Sequence, residues 1–151
     1  MIYLAADHKG FALKEKIKQW LSEWNLQFED CGALALDPQD DYPDFISKAA
    51  AAVSGNPQSS RAIILGMSGQ GEAIAANKFK GVRAMVYYGG PDELLTLARQ
   101  HNDANVLSLG AGFVDPEQIK RQIKKWLETP FSGDERHVRR LKKIGEIEQN
   151  N

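Results

Sequence analysis

The sequence predicts an α/β fold: a doubly wound, Rossmann-like three-layer sandwich with a five-stranded parallel sheet and a C-terminal helical tail. Five short apolar runs alternate with helical patterns, one unit every roughly 25 to 30 residues, as successive βαβ units require. Glycine-rich turns, "ADHKG", "GMSGQGE" and "SLGAG", follow three of the runs, where such a sheet collects its ligand-binding groups. A chain of 151 residues suits a single core. Residues 1–151 are therefore read as one domain, with 130–151 as a tail packing on a partner subunit.

Each element has its own signal. "MIYLAA" is a short apolar run and reads as a buried first strand. In "FALKEKIKQWLSEW", Phe11, Leu13, Ile17, Trp20, Leu21 and Trp24 fall on one helical stripe. "LQFEDCG" reads as the second strand. "YPDFISKAAAAV" starts a helix behind a proline and an aspartate, and "SGNPQSS" punctuates it. "RAIILG" is the third strand, "EAIAANK" the third helix and "VRAMVYY" the fourth strand. "PDELLTLARQHN" opens with the proline and acids that helix N-termini prefer, "NVLSLGA" is the fifth strand, and "DPEQIKRQIKKWLE" is the fifth helix. Past Trp126 and Leu127 the chain is charged, with Phe131, Val138, Leu141, Ile144 and Ile147 as its apolar residues. Their spacing of three predicts a terminal helix docked on another subunit through about Ile144, with disorder of the last residues as the alternative.

Nineteen Lys and Arg against twenty Asp and Glu leave a net charge of -1. That balance gives no support to a nucleic-acid or membrane-surface role. No segment approaches the ~18 apolar residues that span a bilayer, and the N-terminus lacks a basic and then apolar leader, so a cytoplasmic protein is expected. The single cysteine, Cys31, excludes an intrachain disulfide framework and a multi-thiolate metal site. It reads as a small apolar filler at a strand end.

Chemistry-bearing residues cluster at a few turns. Asp7 and His8 leave the first strand where a doubly wound sheet presents ligand groups, although a surface turn would hold the same residues. "GMSGQGE" lacks the Lys-Ser/Thr ending of a Walker A loop, and its glycines follow the third strand rather than the first, which argues against a nucleotide fingerprint. The glycines allow close backbone approach. The free N–H groups of Gly69, Gln70 and Gly71, with the Ser68 hydroxyl, would favour an oxyanion or enediolate. Glu72 reads either as a first-turn acid or, beside a ligand, as a base acting on carbon. His101 and Asn102 precede the fifth strand, so topology puts them at the opposite rim of the sheet, and a structural histidine is the alternative there. Arg136 and Arg140, four apart and flanking His137, share a helical face able to clamp a phosphate, or simply form a solvated basic face.

"ADHKGFALKEKIKQWL", "DYPDF", "GMSGQGEAIAANKFKGVRA", "ARQHNDANVLSLGAG" and "ERHVRRL" together resemble the ribose-5-phosphate isomerase B and galactose-6-phosphate isomerase family, from Met1 to about Ile144. The resemblance implies ring opening of an aldose phosphate and transfer of a proton between C2 and C1 through a cis-enediolate. Carried over, His101 assists ring opening, Asn102 contacts substrate and Asp7 contacts the sugar hydroxyls. His8 lies on the phosphate side, and Asp41 and Tyr42 line and orient the pocket. The family shares its sites across a dimer, with the tail residues Arg136, His137 and Arg140 arriving from the partner. A homodimer is the minimum expected, with tetramers left open. One group of members places a cysteine base at the position of Gly66, whereas the other ends its loop in a glutamate. "GMSGQGE" resembles the second, which makes Glu72 the base and Ser68 with the Gly69, Gln70 and Gly71 backbone the enediolate stabiliser. Such a reaction needs no cofactor or metal.

Two departures bear on substrate choice. Many members carry an arginine two residues after the glycine of the fifth strand, where this chain has Gly112. Lys9 replaces a small residue in the first motif and would return a positive charge, without the bidentate fork of arginine. A six-carbon or four-carbon sugar phosphate, an obligate unlike partner and a non-catalytic sugar-phosphate-binding protein therefore stand as alternatives.

Overall fold

The structure is a computed structural model describing residues 1–151, and every strand and helix expected from the sequence is present. In chain order the elements are β1 (Ile2–Ala6), α1 (Phe11–Glu23), β2 (Phe28–Asp30), α2 (Pro43–Gly55), β3 (Arg61–Gly66), α3 (Gln70–Ala76), β4 (Ala84–Tyr87), α4 (Glu93–Asn102), β5 (Val106–Gly110), α5 (Ile119–Glu128) and α6 (Glu135–Gln149). The strands form one sheet in the order β2-β1-β3-β5-β4, and all four pairings are parallel. Between β1 and β3 the direction of winding reverses, which opens a crevice beyond their carboxyl ends.

Alternation along the strands divides the core in two. Ile2, Leu4 and Ala6 of β1, Ile63 and Leu65 of β3, and Leu107 and Leu109 of β5 pack with Ile17 and Leu21 of α1, Leu95 of α4, and Ile123 and Trp126 of α5. Ala5, Ala62, Ile64 and Val106 face the other way, against Ile46, Ala49, Ala50 and Val53 of α2 and Ala76 of α3. Each fully buried Ile or Leu contributes about 1.5–3 kcal/mol relative to exposure. The alanines on the second face let α2 lie close to the strands.

Boundaries differ at three places for local reasons. α3 starts at Gln70, two residues before the expected "EAIAANK", because Gly69 takes φ 78° and turns the chain into the helix. α5 starts at Ile119 rather than near Asp115. There the Asp115 carboxylate takes the Glu117 N–H at 2.9 Å and forms a turn that holds the chain back from helix. The terminal helix continues past Ile144 to Gln149, and the Glu148 carboxylate accepts the Gly81 N–H at 2.9 and 3.0 Å.

α1 buries a residue that its apolar stripe does not include. Lys14 is fully buried and its Nζ donates to Asp30 Oδ1 at 2.6 Å and to the Ala33 carbonyl at 2.7 Å. Burial would push the Asp30 carboxyl up, but hydrogen bonds from Lys14, the Gly32 N–H and Lys18 hold it below the usual carboxylate range. This pair ties α1 to the end of β2 and to the segment that follows it. Cys31, in that segment, packs beside the second core face. Burial pushes its thiol up to about 11, which removes it as a nucleophile.

Candidate active site

Two sets of residues lie at opposite rims of the sheet. At the carboxyl rim β1 runs out into Asp7, which is buried. Its Oδ1 accepts the backbone N–H groups of Lys9 at 2.9 Å and Gly10 at 3.3 Å. Gly10 is required here, because a Cβ on it would lie 2.5 Å from the Cβ of Leu65. Its absence lets the start of α1 press against the end of β3. His8 meets Asp40, whose Oδ1 accepts the His8 backbone N–H at 3.0 Å and pairs with the ring Nδ1 at 2.6 Å. Lys9 is exposed and, with Lys16, Ala111, Val114 and Pro116, lines a groove of about 230 Å³.

β3 delivers the glycine-rich turn to the same rim. Glu72 folds back over the strand end so closely that a Cβ on Gly66 would sit 1.7 Å from its Oε1. Glu72 as a whole is 4 % exposed. Burial, reinforced by the negative charge of Asp7, pushes its pKa above the ordinary glutamate value, against the pull of its own backbone N–H. A carboxylate so placed holds a proton more readily than one in water and is poised to exchange it. The Tyr42 hydroxyl leans on Gly71, where a Cβ would come within 2.6 Å. Ser108, buried in β5, donates to the Gly69 carbonyl at 2.6 Å and fixes the turn from below. The Ser68 hydroxyl oxygen accepts the Gln70 N–H at 3.3 Å, while Gln70 itself is exposed.

Asp41 is exposed, and its side chain makes no hydrogen bond in the chain. Its neighbour Asp40, absent from the sequence-derived set, is the residue that reaches His8. The pairing spans 32 positions, so no local pattern in "QDDYPDF" announces it. Asp7, His8 and Asp40 also form the one group of three side chains able to offer metal-ligand atoms within 4.8 Å of one another. Asp7 Oδ1 and Asp40 Oδ1 already hold hydrogen bonds. At Gly112 a Cβ would lie 2.4 Å from the Sδ of Met67. The thioether fills the space a side chain there would enter.

His101, Asn102, Arg136, His137 and Arg140 gather at the other rim. α4 ends at Asn102 before β5 begins, which puts His101 at the amino edge of the sheet, away from Glu72. Its ring stacks on His137 with centroids 4.2 Å apart. His137 is buried, and its Nδ1 lies 2.8 Å from the Ser132 hydroxyl. Burial, then the charges of His101 and Arg136, push His137 below the ordinary imidazole value. Arg99 secures this corner by donating to Asp103 Oδ1 at 2.9 Å, the Ala104 carbonyl at 2.6 Å and the Thr129 carbonyl at 3.0 Å. Arg136 and Arg140 are exposed on α6 with no acid paired to either. One chain thus carries a buried carboxylate with a glycine turn at one end and a histidine stack beside free arginines at the other.

Residues 2–144 match the sequence profile of the Ribose/Galactose Isomerase family. The chain is 41% identical over 143 residues to the probable ribose-5-phosphate isomerase B of Mycoplasma pneumoniae, covering 95% of this chain and 91% of that protein. It is 37% identical over 148 residues to ribose-5-phosphate isomerase B of Mycobacterium tuberculosis, covering 98% and 90%. Among solved structures, that of ribose-5-phosphate isomerase B from Mycoplasma genitalium with bound ribulose-5-phosphate superposes with a TM-score of 0.94 at 36% identity, covering 99% of this chain and 97% of that one. The type B ribose 5-phosphate isomerase of Trypanosoma cruzi superposes with a TM-score of 0.91 at 36% identity, covering 99% of each chain.

Proposed function

The chain belongs to the ribose/galactose isomerase family, and from that premise we propose that it interconverts ribose 5-phosphate and ribulose 5-phosphate in a site assembled by two copies. The observation that carries this reading is Glu72: a buried carboxylate with a raised pKa, folded over Gly66 at the carboxyl end of β3 and beside Asp7.

The reaction begins with the partner subunit's His101 assisting opening of the sugar ring, with the partner's Asn102 touching substrate. Glu72 then takes the proton from C2. The C2–H bond breaks, its electron pair forms the C1–C2 double bond, and the former aldehyde oxygen takes the negative charge. Ser68 and the backbone of Gly69, Gln70 and Gly71 face that enediolate, and Asp7 holds the sugar hydroxyls. The proton returns from Glu72 to C1 while the O2 hydroxyl proton moves to O1, which leaves the ketose. His8 and Lys9 meet the phosphate from one side, and the partner's Arg136, His137 and Arg140 from the other. Asp41 and Tyr42 wall the pocket, with the Tyr42 hydroxyl packed on Gly71. None of these steps calls on a metal or cofactor.

The Glu72 carboxylate occupies the space that a side chain at position 66 would need. A cysteine at 66 and a glutamate at 72 are thus alternative occupants of one volume, which supports Glu72 as the base where the cysteine is missing. The dimer is supported by the separation of the two sets of residues and by the exposed Val138, Ile144 and Ile147 on α6. A cytoplasmic enzyme fits the absence of any helix long and apolar enough to cross a membrane.

Proton NMR in D₂O tests the assignment. Ribose 5-phosphate should yield ribulose 5-phosphate with deuterium entering the exchanging carbon, and binding without exchange would sink the catalytic reading. Met67 beneath Gly112 favours one second reading, a sugar phosphate of another length, because an apolar thioether stands where a cation would approach. A kcat/KM higher for a six-carbon or four-carbon aldose phosphate than for ribose 5-phosphate would select it.

A further inference from the structure

Asp40 is a buried carboxylate whose side-chain hydrogen bonds all go to one residue. Its side chain is 6% exposed. Oδ1 receives the His8 backbone N–H at 3.0 Å and lies 2.6 Å from the ring Nδ1, while Oδ2 is buried with no partner. A carboxylate buried for stability alone is normally satisfied on both oxygens, because an unpaired buried acceptor costs free energy. Here the fold tolerates one orphan oxygen and commits the other to a single residue, His8, through its main chain and its ring.

The geometry also settles how that imidazole is presented. A carboxylate only accepts, so Nδ1 carries the shared proton and Nε2 is the nitrogen left for a ligand. Nε2 has no partner within the chain, and the His8 side chain is 24% exposed. One oxygen binds both the main chain and the ring of His8, which fixes the turn after β1 and the direction of the ring together. Lys9, by contrast, is exposed and no acid pairs with it, and Gly112 has no side chain to offer.

We propose that Asp40 is a positioning residue for the phosphate end of the substrate, acting through His8 by turning Nε2 toward the phosphoryl group. This rests on the reading of His8 as a phosphate-side ligand. It assigns to the segment between β2 and α2 a part in substrate affinity rather than in proton transfer, since Asp40 touches neither Glu72 nor, in this arrangement, the sugar.

The test measures kcat and KM for ribose 5-phosphate, and the inhibition constant of inorganic phosphate, in Asp40→Asn, His8→Asn and the double variant. Each single change should raise KM and the phosphate inhibition constant about tenfold, as loss of a charge-assisted contact does, with kcat held within about threefold. The double variant should be no weaker than His8→Asn alone, because both changes remove the same contact. Asp40→Asn with unchanged KM beside a weakened His8→Asn would overturn the proposal, as would factors that multiply in the double variant. A His8→Asn enzyme with unaltered KM and phosphate inhibition would instead remove the reading of His8 on which the proposal rests. Should Asp40→Asn not fold, ¹⁵N NMR of the parental enzyme decides: a protonated Nδ1 on His8 is expected, and a bare Nδ1 would refute the orientation.

Discussion

Glu72 owes its character to two residues that flank it in space: Gly66, which leaves room, and Asp7, which adds negative charge. Glu72→Gln should keep the fold and much of the binding but lose about 10²–10⁴-fold in kcat, the usual worth of a general base. The raised pKa also sets a sign. A group that binds its proton more tightly in the folded state contributes stability below its unfolded pKa and loses that contribution as pH rises through the folded one. Glu72→Gln should therefore gain thermal stability over the parental protein at neutral pH, and the gain should shrink as pH falls from the raised folded pKa of Glu72 down to the ordinary glutamate value. Melting curves at several pH values check this, and a variant less stable at neutral pH would contradict the burial argument. Gly66→Ala probes the same contact from below. Its Cβ would displace the carboxylate, so kcat should fall by at least about tenfold, with KM the smaller change. The glycine-serine-glutamate turn was readable in the sequence because it is contiguous. The Asp40–His8 contact was not, because it depends on two segments meeting 32 positions apart.

At the scale of elements, periodicity found every strand and helix, and turn chemistry moved the starts of α3 and α5. Strand order lay beyond it. β5 lies between β3 and β4, with every residue buried, and an apolar run looks the same whichever neighbours it pairs with. Ser108 in that run is the residue that only the fold explains, as the donor to Gly69. Lys14 is the other. On a helical wheel it falls beside Ile17 and Leu21, and its partners, Asp30 and the Ala33 carbonyl, lie 16 and 19 positions away, where no local pattern names them. Lys14→Met should destabilise the protein by about 1–3 kcal/mol, because it leaves the Ala33 carbonyl without its donor and takes one of three donors from Asp30, which keeps Lys18 and the Gly32 N–H. Urea unfolding measures this, and a loss under about 1 kcal/mol would show that water replaces the amine at small cost.

At the scale of the whole molecule, His101 and Glu72 lie at opposite rims of one sheet. The sequence already placed His101 at the far rim. It left open whether His101 would be a ligand-binding or a structural histidine, and the structure gives it a stacking partner in His137. The segment leading into α6 is tied to its own chain by the Ser132 N–H on the Gln100 carbonyl, and α6 itself by Glu148 on Gly81, yet Val138, Ile144 and Ile147 stay exposed along it. Truncation of residues 130–151 should lower both the oligomer mass, read by light scattering, and the activity. A fully active monomer would refute the shared site.

Complementation between two inactive variants addresses the two-copy site head on. Glu72→Gln and His101→Asn are each assayed, then unfolded, mixed and refolded together. If each site draws Glu72 from one copy and His101 from the other, half of the dimers are hybrids and one of their two sites is intact. About a quarter of the parental activity should return. Hybrids that form but show no activity above the separate variants would contradict a site built across the dimer.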